Sequence, residues 1–301
     1  MTPDMEVEIA GVKWKNPVTV ASGTFGSGME YGEFIDLNRL GAITSKGVAI
    51  EPWEGNGTPR VAETPSGMLN AIGLQNPGME VFRNRDIPFM KKYDTVAVVN
   101  VVGKSTEEYI QAVEALGDTD VDMLEINISC PNVKEGGIAF GTDKNVAAAL
   151  TKEIKAHAKQ PVIMKLSPNV TSITEMAKAV EDAGADAISL INTVTGMKID
   201  VERQSIFLAN KTGGLSGPAI RPIAVRMVYE ASHSVKIPVI GMGGITCAED
   251  ALEFILAGAT AVSVGTASFN NPYTAIEVID GIRDYMVRKN INSIKDIIGI
   301  V

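Results

Sequence analysis

The sequence predicts an α/β protein: a single-domain (β/α)8 TIM barrel over residues 1–301, with an N-terminal β-hairpin and inserted loops at the C-terminal face. Three observations favour this fold. A helix end, a Gly-Ala pair and an apolar strand recur at 40–43, 183–188 and 257–262. Eight apolar strand patterns alternate with helical ones, and the chain exceeds the roughly 250 residues typical of such barrels. A doubly wound open sheet is the rival fold, and it would be favoured if one strand prediction failed.

The elements follow one another in a regular order. Val7–Ile9 and Val12–Trp14, joined through Ala10 and Gly11, predict a small hairpin that caps the barrel bottom. The eight barrel strands are predicted at Val18–Val20, Ala42–Ser45, Thr95–Val99, Met123–Asn127, Val162–Leu166, Ala187–Ile191, Val239–Gly241 and Ala261–Gly265. Three helix starts fit the capping-box pattern, at Ser105-x-x-Glu108, Ser172-x-x-Glu175 and Thr246-x-x-Glu249.

Two stretches are longer than a minimal barrel needs. Glu51 to Pro77, rich in Gly, Pro and Asn, follows the second barrel strand, and Thr195 to Gly217 follows the sixth. Both come after the carboxyl ends of strands, where barrel enzymes carry their active sites. We therefore expect these insertions to form lids or partner surfaces.

Composition excludes several classes of function. A formal net charge of −9 argues against a nucleic-acid or anionic-membrane surface, because both need clustered Lys and Arg. No apolar run approaches the roughly 20 residues that span a bilayer. Two cysteines and two histidines are too few to hold an iron–sulfur cluster or a structural zinc alone, so no metal site is expected. Low cysteine content and the lack of an apolar N-terminal segment predict a cytoplasmic protein.

Polar residues gather at the carboxyl ends of the predicted strands. Lysines supply charge there, while asparagines offer both a donor and an acceptor, a combination that suits a planar, amide-rich, anionic ligand. A single Asn at such a position is more often a turn former, and the clustering is what favours a site. The cluster comprises Ser22, Lys46, Asn100, Asn127, Cys130, Lys165, Asn192, Thr193, Gly243, Gly244, Gly265 and Thr266.

The last two βα units carry a pattern typical of phosphate binding. Gly241-Met242-Gly243-Gly244-Ile245 runs directly into the helix start at Thr246, and Gly265-Thr266 follows the eighth strand. Glycines let backbone N–H groups approach an anion, and a helix N-terminus carries partial positive charge. Tight turns without a ligand are the alternative, but loops after strands seven and eight are the usual phosphate site of such barrels.

Cys130 is the first candidate for a catalytic base or nucleophile. It follows the fourth strand within Asn127-Ile128-Ser129-Cys130-Pro131-Asn132, where Pro131 ends the ladder and places the thiol at the start of a loop. Cys247 is a rival, because the first turn of a helix lowers the pKa of a thiol. A cysteine at such a position is more often packed as a small apolar side chain, and this favours Cys130.

Lys165 interrupts the apolar strand Val162–Leu166. A buried charge there is costly unless it has a partner. A bound anion or an electron-rich ring is the partner expected from the sequence.

Five motifs follow one another along the chain: Ala21-Ser22-Gly23-Thr24-Phe25-Gly26, Asn70-Ala71-Ile72-Gly73-Leu74-Gln75-Asn76-Pro77-Gly78, Asn127-Ile128-Ser129-Cys130-Pro131-Asn132, Lys165-Leu166-Ser167-Pro168-Asn169 and Gly241-Met242-Gly243-Gly244-Ile245. Together they resemble those of the dihydroorotate dehydrogenases, class 1B catalytic subunits, over essentially the whole chain. Cys130 is similar to the class 1 base, whereas class 2 enzymes place a serine there and add a membrane-associated N-terminal extension. Thr24-Phe25-Gly26 looks more like subclass 1B than the fumarate-using subclass 1A.

The resemblance implies oxidation of (S)-dihydroorotate to orotate in pyrimidine (UMP) synthesis, with one FMN per chain. Cys130 would remove the C5 proton while hydride leaves C6 for the flavin. The implied substrate residues are Lys46, Asn70, Ala71, Ile72, Gly73, Leu74, Asn127, Asn192 and Thr193. The implied FMN residues are Ser22, Lys46, Gly47, Asn100, Asn127, Lys165 and Ile191 for the ring and ribityl, and Gly217, Gly243, Gly244, Gly265 and Thr266 for the phosphate.

The resemblance also implies a partner. Class 1B enzymes pass electrons to NAD through an electron-transfer subunit that holds FAD and a 2Fe-2S cluster, in a heterotetramer of two catalytic and two electron-transfer chains. Two alternatives stay open at this point. One is a class 1A-like homodimer that reduces fumarate without a partner, and the other is a non-redox, phosphate-binding barrel lyase or isomerase with Lys165 as a Schiff-base lysine.

Overall fold

The computed structural model describes residues 2–129 and 140–301. The described chain opens with an antiparallel hairpin, β1 (Val7–Ile9) and β2 (Val12–Trp14). Ala10 and Gly11 at its turn both adopt positive φ, as the two central residues of a tight hairpin require. Val7, Ile9 and Trp14 are fully buried in the main core, and β2 leads through Pro17 to the amino end of the first barrel strand. The predicted hairpin is confirmed.

Eight parallel strands form the central sheet, and each lies where the sequence predicts one, with ends that differ by one or two residues. Around the sheet each strand neighbours the next barrel strand in the chain, the order of a (β/α)8 barrel. The strands are β3 (Val18–Val20), β4 (Ala42–Thr44), β7 (Val96–Val101), β8 (Met123–Asn127), β9 (Val162–Lys165), β10 (Ala187–Leu190), β15 (Val239–Met242) and β16 (Ala261–Val264).

The barrel is nearly closed between its first two strands. The ladder runs from β3 through β16 around to β4, and the seam between β3 and β4 is joined by isolated hydrogen bonds instead of a full ladder. The N–H of Gly41 donates to the carbonyl of Val18 at 3.0 Å, and the Thr19 hydroxyl donates to the carbonyl of Ala42 at 2.9 Å. An open doubly wound sheet is therefore excluded.

Helices cover the outside of the sheet and bury their apolar faces against it in one continuous core. Long helices follow β7, β8, β9, β10, β15 and β16, whereas shorter pieces fill the first two units. The helices of the described part are α1 (Ser22–Phe25), α2 (Met79–Val81), α3 (Ile87–Met90), α4 (Thr106–Leu116), α5 (Lys144–His157), α6 (Ile173–Asp182), α7 (Arg221–Ser232), α8 (Ala248–Leu256), α9 (Ala267–Asn270) and α10 (Thr274–Lys289). A π-helical segment, Phe82–Asp86, joins α2 to α3, and 3-10 turns lie at Tyr31–Glu33, Leu37–Arg39, Pro218–Ile220 and Ile294–Ile297.

Two of the three predicted helix starts agree with the structure. Ser105 and Ser172 cap α4 and α6, each accepting a hydrogen bond from the backbone N–H three residues on. The box predicted at Thr246 is wrong, because α8 begins at Ala248 with Cys247 as its N-cap residue.

The two insertions pair with each other. Val61–Thr64 (β5) and Gly67–Asn70 (β6) come from the first insertion, and Val194–Gly196 (β11) and Gly213–Ser216 (β14) come from the second. They form one antiparallel sheet in the order β11, β14, β6, β5, with its own small apolar cluster. The second insertion also holds a short hairpin, β12 (Ile199–Asp200) and β13 (Ser205–Ile206). No pattern in the sequence predicted this pairing.

Within residues 2–129 and 140–301, no helix combines the length and the apolar character needed to cross a bilayer.

Candidate active site

A cavity of about 950 Å³ opens at the carboxyl ends of the barrel strands. Barrel loops form its floor and sides, and the inserted sheet contributes a wall through Val61, Met68 and Asn70 of β5 and β6 and Ser216 of β14. Its volume lies at the upper end of the ~300–1,000 Å³ usual for small-molecule and cofactor sites. The position agrees with the general rule for (β/α)8 barrels.

The structure brings nearly all sequence-predicted site residues to this one cavity. Ala71 is the exception, because it is fully buried behind the lining and its N–H donates to the carbonyl of Arg60. Cys130 lies outside the described residues. Lining the cavity are Ser22, Lys46, Gly47, Asn70, Ile72, Gly73, Leu74, Asn100, Asn127, Lys165, Ile191, Asn192, Thr193, Gly217, Gly243, Gly244, Gly265 and Thr266.

Lys165 ends β9 with its ammonium at the cavity wall. The side chain is only 5% exposed, and Nζ lies 3.8 Å from Oε2 of Glu125 and 3.3 Å from the hydroxyl of Ser22. The sequence suggested that a ligand must supply the partner of this buried charge. The protein supplies one itself, a carboxylate on the neighbouring strand β8.

Asn100 and Asn127 form a second buried pair on β7 and β8. Nδ2 of Asn127 donates to Oδ1 of Asn100 at 3.4 Å, and Nδ2 of Asn100 donates to the Glu125 carboxylate at 2.5 Å. The hydroxyl of Tyr109 on α4 donates to the carbonyl of Asn127 at 2.8 Å, which fixes the end of β8. These amides are therefore oriented before any ligand arrives.

A chain of side-chain hydrogen bonds holds the segment that leads into Cys130. The Ser129 hydroxyl donates to Oδ1 of Asn127 at 2.8 Å and accepts from Nδ2 of Asn192 at 2.7 Å. The N–H of Thr193 donates to Oδ1 of Asn192 at 2.7 Å. The loops after β8 and β10 are thus tied together at the cavity edge.

Turns follow β15 and β16 at the positions where the sequence predicts phosphate loops. Gly244 has φ +77°, and a Cβ there would lie 2.8 Å from the carbonyl oxygen of Gly217, so only glycine fits without strain. Thr266 donates to the hydroxyl of Ser216 at 2.7 Å, which connects the last barrel loop to the inserted sheet. The short helix α9 begins directly after Thr266, as the extra helix of a barrel phosphate site does.

An acidic side chain occupies part of the neighbouring helix start. Asp250 is buried, and its carboxylate accepts from both the N–H and the hydroxyl of Thr246, at 2.8 and 2.6 Å. Arg221 donates to the same carboxylate. Burial pushes the pKa of Asp250 upward, but the Thr246 hydrogen bonds and the Arg221 charge outweigh it and leave this pKa below its ordinary value. The N–H of Thr246 is consequently already used, and an anion would be bound by the glycine turn that precedes it.

Cys247 does not have the character of an activated thiol. It is exposed at the N-cap of α8, so the expectation that it packs as an apolar side chain is wrong. Partial desolvation, together with the charge of Asp250, raises its pKa above the ordinary value, although N–H groups of α8 act in the opposite direction. A raised pKa disfavours the thiolate that a base or nucleophile needs.

Sequence reasoning missed several residues of the site. Glu125 and Ser189 lie just below the cavity lining, and Ser216, Met68 and Arg60 enter it from the insertions. Glu125 could have been found, because it stands two residues before Asn127 on one strand and so faces the same side. The insertion residues could not, since their place depends on pairing between distant segments.

The lining suits a large, planar, partly anionic molecule. It combines two lysines and several primary amides with backbone-lined glycine turns at one end. Within the described residues, no group of three His, Cys, Asp or Glu side chains could hold a metal ion.

Comparison with known proteins gives a consistent result. A family model described as dihydroorotate dehydrogenase matches residues 4–286. The chain is 66% identical over 295 residues to the dihydroorotate dehydrogenase B (NAD(+)) catalytic subunit of Lachnoclostridium phytofermentans, with 98% of each chain covered. The proteins of the same name from Alkaliphilus metalliredigens and Geotalea uraniireducens are 58% and 53% identical, with at least 98% of each chain covered.

Proposed function

The chain belongs to the dihydroorotate dehydrogenase family, and from this premise we propose that it oxidises (S)-dihydroorotate to orotate in pyrimidine synthesis, as the catalytic subunit of an NAD-linked class 1B enzyme. One observation carries the proposal. Each of the separate motifs that resemble this family contributes residues to a single cavity at the barrel mouth. Family membership also removes the non-redox lyase or isomerase as a candidate.

FMN is the cofactor that we propose for this cavity, one per chain. The residues fit it: the cavity is large enough, Lys165 and the asparagines offer donors to a ring edge, and the Gly243-Gly244 turn offers backbone N–H groups to a phosphate. When bound, FMN supplies the acceptor for the hydride from C6 of the substrate. The ring and ribityl would be held by Ser22, Lys46, Gly47, Asn100, Asn127, Lys165 and Ile191, and the phosphate by Gly217, Gly243, Gly244, Gly265 and Thr266.

The substrate would lie between the barrel mouth and the inserted sheet. Asn127 and Asn192 are fixed through Ser129, and the second N–H of each amide would donate to the pyrimidine in a set orientation. Lys46 would neutralise the carboxylate. Further contacts would come from Asn70, Ile72, Gly73, Leu74 and Thr193. Ala71 is buried and would not touch the substrate; it would only help to hold the backbone of this segment in place.

Cys130 is the proposed base, and it would take the proton from C5. The support for this role is its place directly after Ser129, whose hydroxyl is anchored to Asn127 and Asn192. The two amides proposed to face the pyrimidine and the residue that precedes the base therefore belong to one hydrogen-bonded unit. Such preorganisation keeps a base within reach of its proton.

We also propose that electrons leave through a partner subunit with FAD and a 2Fe-2S cluster, in a heterotetramer of two catalytic and two electron-transfer chains. The relatives are named as catalytic subunits, which indicates that a second subunit exists in those proteins. Two cysteines in the whole chain are too few to ligate a cluster.

The test is to assay the chain with and without its partner. The chain alone should bind FMN and be reduced by dihydroorotate, yet not reduce NAD. Co-purification from the native source should yield a second subunit and NAD reduction with dihydroorotate. Stand-alone turnover with fumarate would instead show a class 1A-like enzyme, and a colourless chain that takes up no FMN would refute both.

A further inference from the structure

A buried carboxylate lies under the cavity without contacting it. Glu125 is 3% exposed and belongs to the middle of β8, one layer below the lining residues Asn127 and Lys165. Its Oε2 accepts from Nδ2 of Asn100 at 2.5 Å and lies 3.8 Å from Nζ of Lys165, while its Oε1 accepts from the Ser189 hydroxyl at 2.7 Å. Every polar partner of Glu125 is thus a side chain inside the barrel.

Stability alone does not account for this carboxylate. A buried ion pair gains little over well-packed apolar side chains, because both charges lose their hydration. The layers inside a (β/α)8 barrel are usually filled by Val, Ile and Leu. Glu125 instead joins two of the cavity's proposed ring-binding residues, Asn100 and Lys165, and Ser189 fixes its other oxygen.

We propose that Glu125 is a positioning residue that orients Asn100 and Lys165 toward the bound flavin and lowers the reduction potential of that flavin. The inference rests on the proposed function, since it requires FMN in the cavity. The positive charge of Lys165 favours the additional negative charge of the reduced cofactor. The negative charge of the Glu125 carboxylate beside Lys165 offsets part of this stabilisation of the reduced cofactor. Because the pair is buried, solvent and salt screen the charge of Glu125 only weakly.

The register of the sheet places Glu125 next to the residues proposed to contact the flavin. Asn100 stands opposite Glu125 on adjacent strands, and Lys165 stands opposite both Asn127 and Ser189. Four adjacent strands, β7 to β10, therefore each contribute one side chain to the network. A change in the charge of Glu125 reaches the cavity through two hydrogen-bonded or ion-paired side chains and through the Coulomb field.

The test compares Glu125→Gln with the wild type, both loaded with FMN. Glutamine keeps the size and an acceptor oxygen but removes the negative charge, so the midpoint potential of bound FMN should shift to a more positive value. The matched control is Glu175→Gln, because Glu175 also pairs with a lysine, Lys144, at 2.8 Å, but on the exposed surface. Its midpoint potential should equal that of the wild type. An unchanged or more negative potential in Glu125→Gln would overturn the proposal.

A second variant covers the case in which Glu125→Gln does not fold. Ser189→Ala keeps the carboxylate and removes one of its hydrogen-bond donors, so the carboxylate is less neutralised and the midpoint potential should shift the opposite way, to a more negative value. A purely structural role would change the unfolding midpoint of the apo chain without moving either potential. If the wild type binds FMN but neither variant shifts its potential, only this inference fails. If the wild type binds no FMN, the proposed function fails with it.

Discussion

Cys130 carries the proposed proton transfer, and the side chains before it explain why a base at this position can be well oriented. Ser129, Asn127 and Asn192 form a continuous hydrogen-bonded unit across two loops. At the other candidate thiol, Cys247, partial desolvation and the charge of Asp250 leave the pKa raised. The raised pKa therefore argues against Cys247 as the base.

Replacement of Cys130 by serine tests the proposed base. Cys130→Ser should lower the rate of FMN reduction by dihydroorotate roughly 10²–10⁴-fold, the usual contribution of a positioned base, because a serine hydroxyl is a far poorer base than a thiolate. Stopped-flow absorbance gives the rate, and the flavin spectrum should show FMN still bound. Cys247→Ser is the matched control and should retain the wild-type rate. Equal rates for Cys130→Ser and the wild type would assign the base elsewhere.

At this scale the sequence predicted which residues gather at the site better than it predicted their partners. Lysines, asparagines and glycines at strand ends were found because apolar patterns predict where strands end. The partner of Lys165 was assigned to a ligand, although Glu125 on the adjacent strand provides it. The contact between Lys165 and Glu125 depends on which strands are adjacent and on their register, and a local sequence pattern predicts neither.

The loop after β15 is the element on which the proposed phosphate binding depends. Gly244 holds φ +77°, where a side chain is strained and would also meet the carbonyl of Gly217. Gly244→Ala should destabilise the fold by about 1–3 kcal/mol and weaken FMN binding. Urea unfolding and FMN titration measure the two effects. Gly57→Ala is the control, since Gly57 has open space around it and no positive φ; equal behaviour of the two variants would contradict the assigned role of the loop.

The start of α8 gives a prediction about pH. Asp250 has a pKa held below its ordinary value in the folded chain, so its stabilising effect is complete above about pH 3.9, the unfolded value, and is lost as pH falls through the lower folded value. At neutral pH, Asp250→Asn should cost about 1–3 kcal/mol of unfolding free energy.

The control for this prediction is Glu249→Gln, because Glu249 is the exposed residue that the sequence wrongly placed in the capping box. It should change stability by less than about 0.5 kcal/mol. Urea titrations at neutral and acidic pH measure both variants. The deficit of Asp250→Asn should shrink in acid, and a deficit that grows as pH falls would contradict the assigned contacts.

Element positions were predicted well where the signal is local and poorly where it is not. All eight barrel strands were placed, because each is a short apolar run followed by polar or glycine residues, and a Gly-Ala pair precedes β4, β10 and β16. The inserted sheet was missed, since β6 and β14 meet only through pairing between two distant insertions. Its strands contain several glycines and little alternation, which are weak strand signals.

The whole molecule combines a nearly closed barrel with an inserted sheet that walls one side of its mouth. The fold class followed from the sequence because a repeated βα unit has few stable arrangements. The shape of the cavity did not follow, because one of its walls comes from the insertions.

The proposed function requires this chain to pass hydride from dihydroorotate to FMN held in the barrel. To test this, dihydroorotate is added, without oxygen, to the purified chain loaded with FMN, and the visible spectrum is followed. The flavin absorbance should bleach while one orotate forms per FMN. A flavin spectrum that stays oxidised, with no orotate formed, would contradict it.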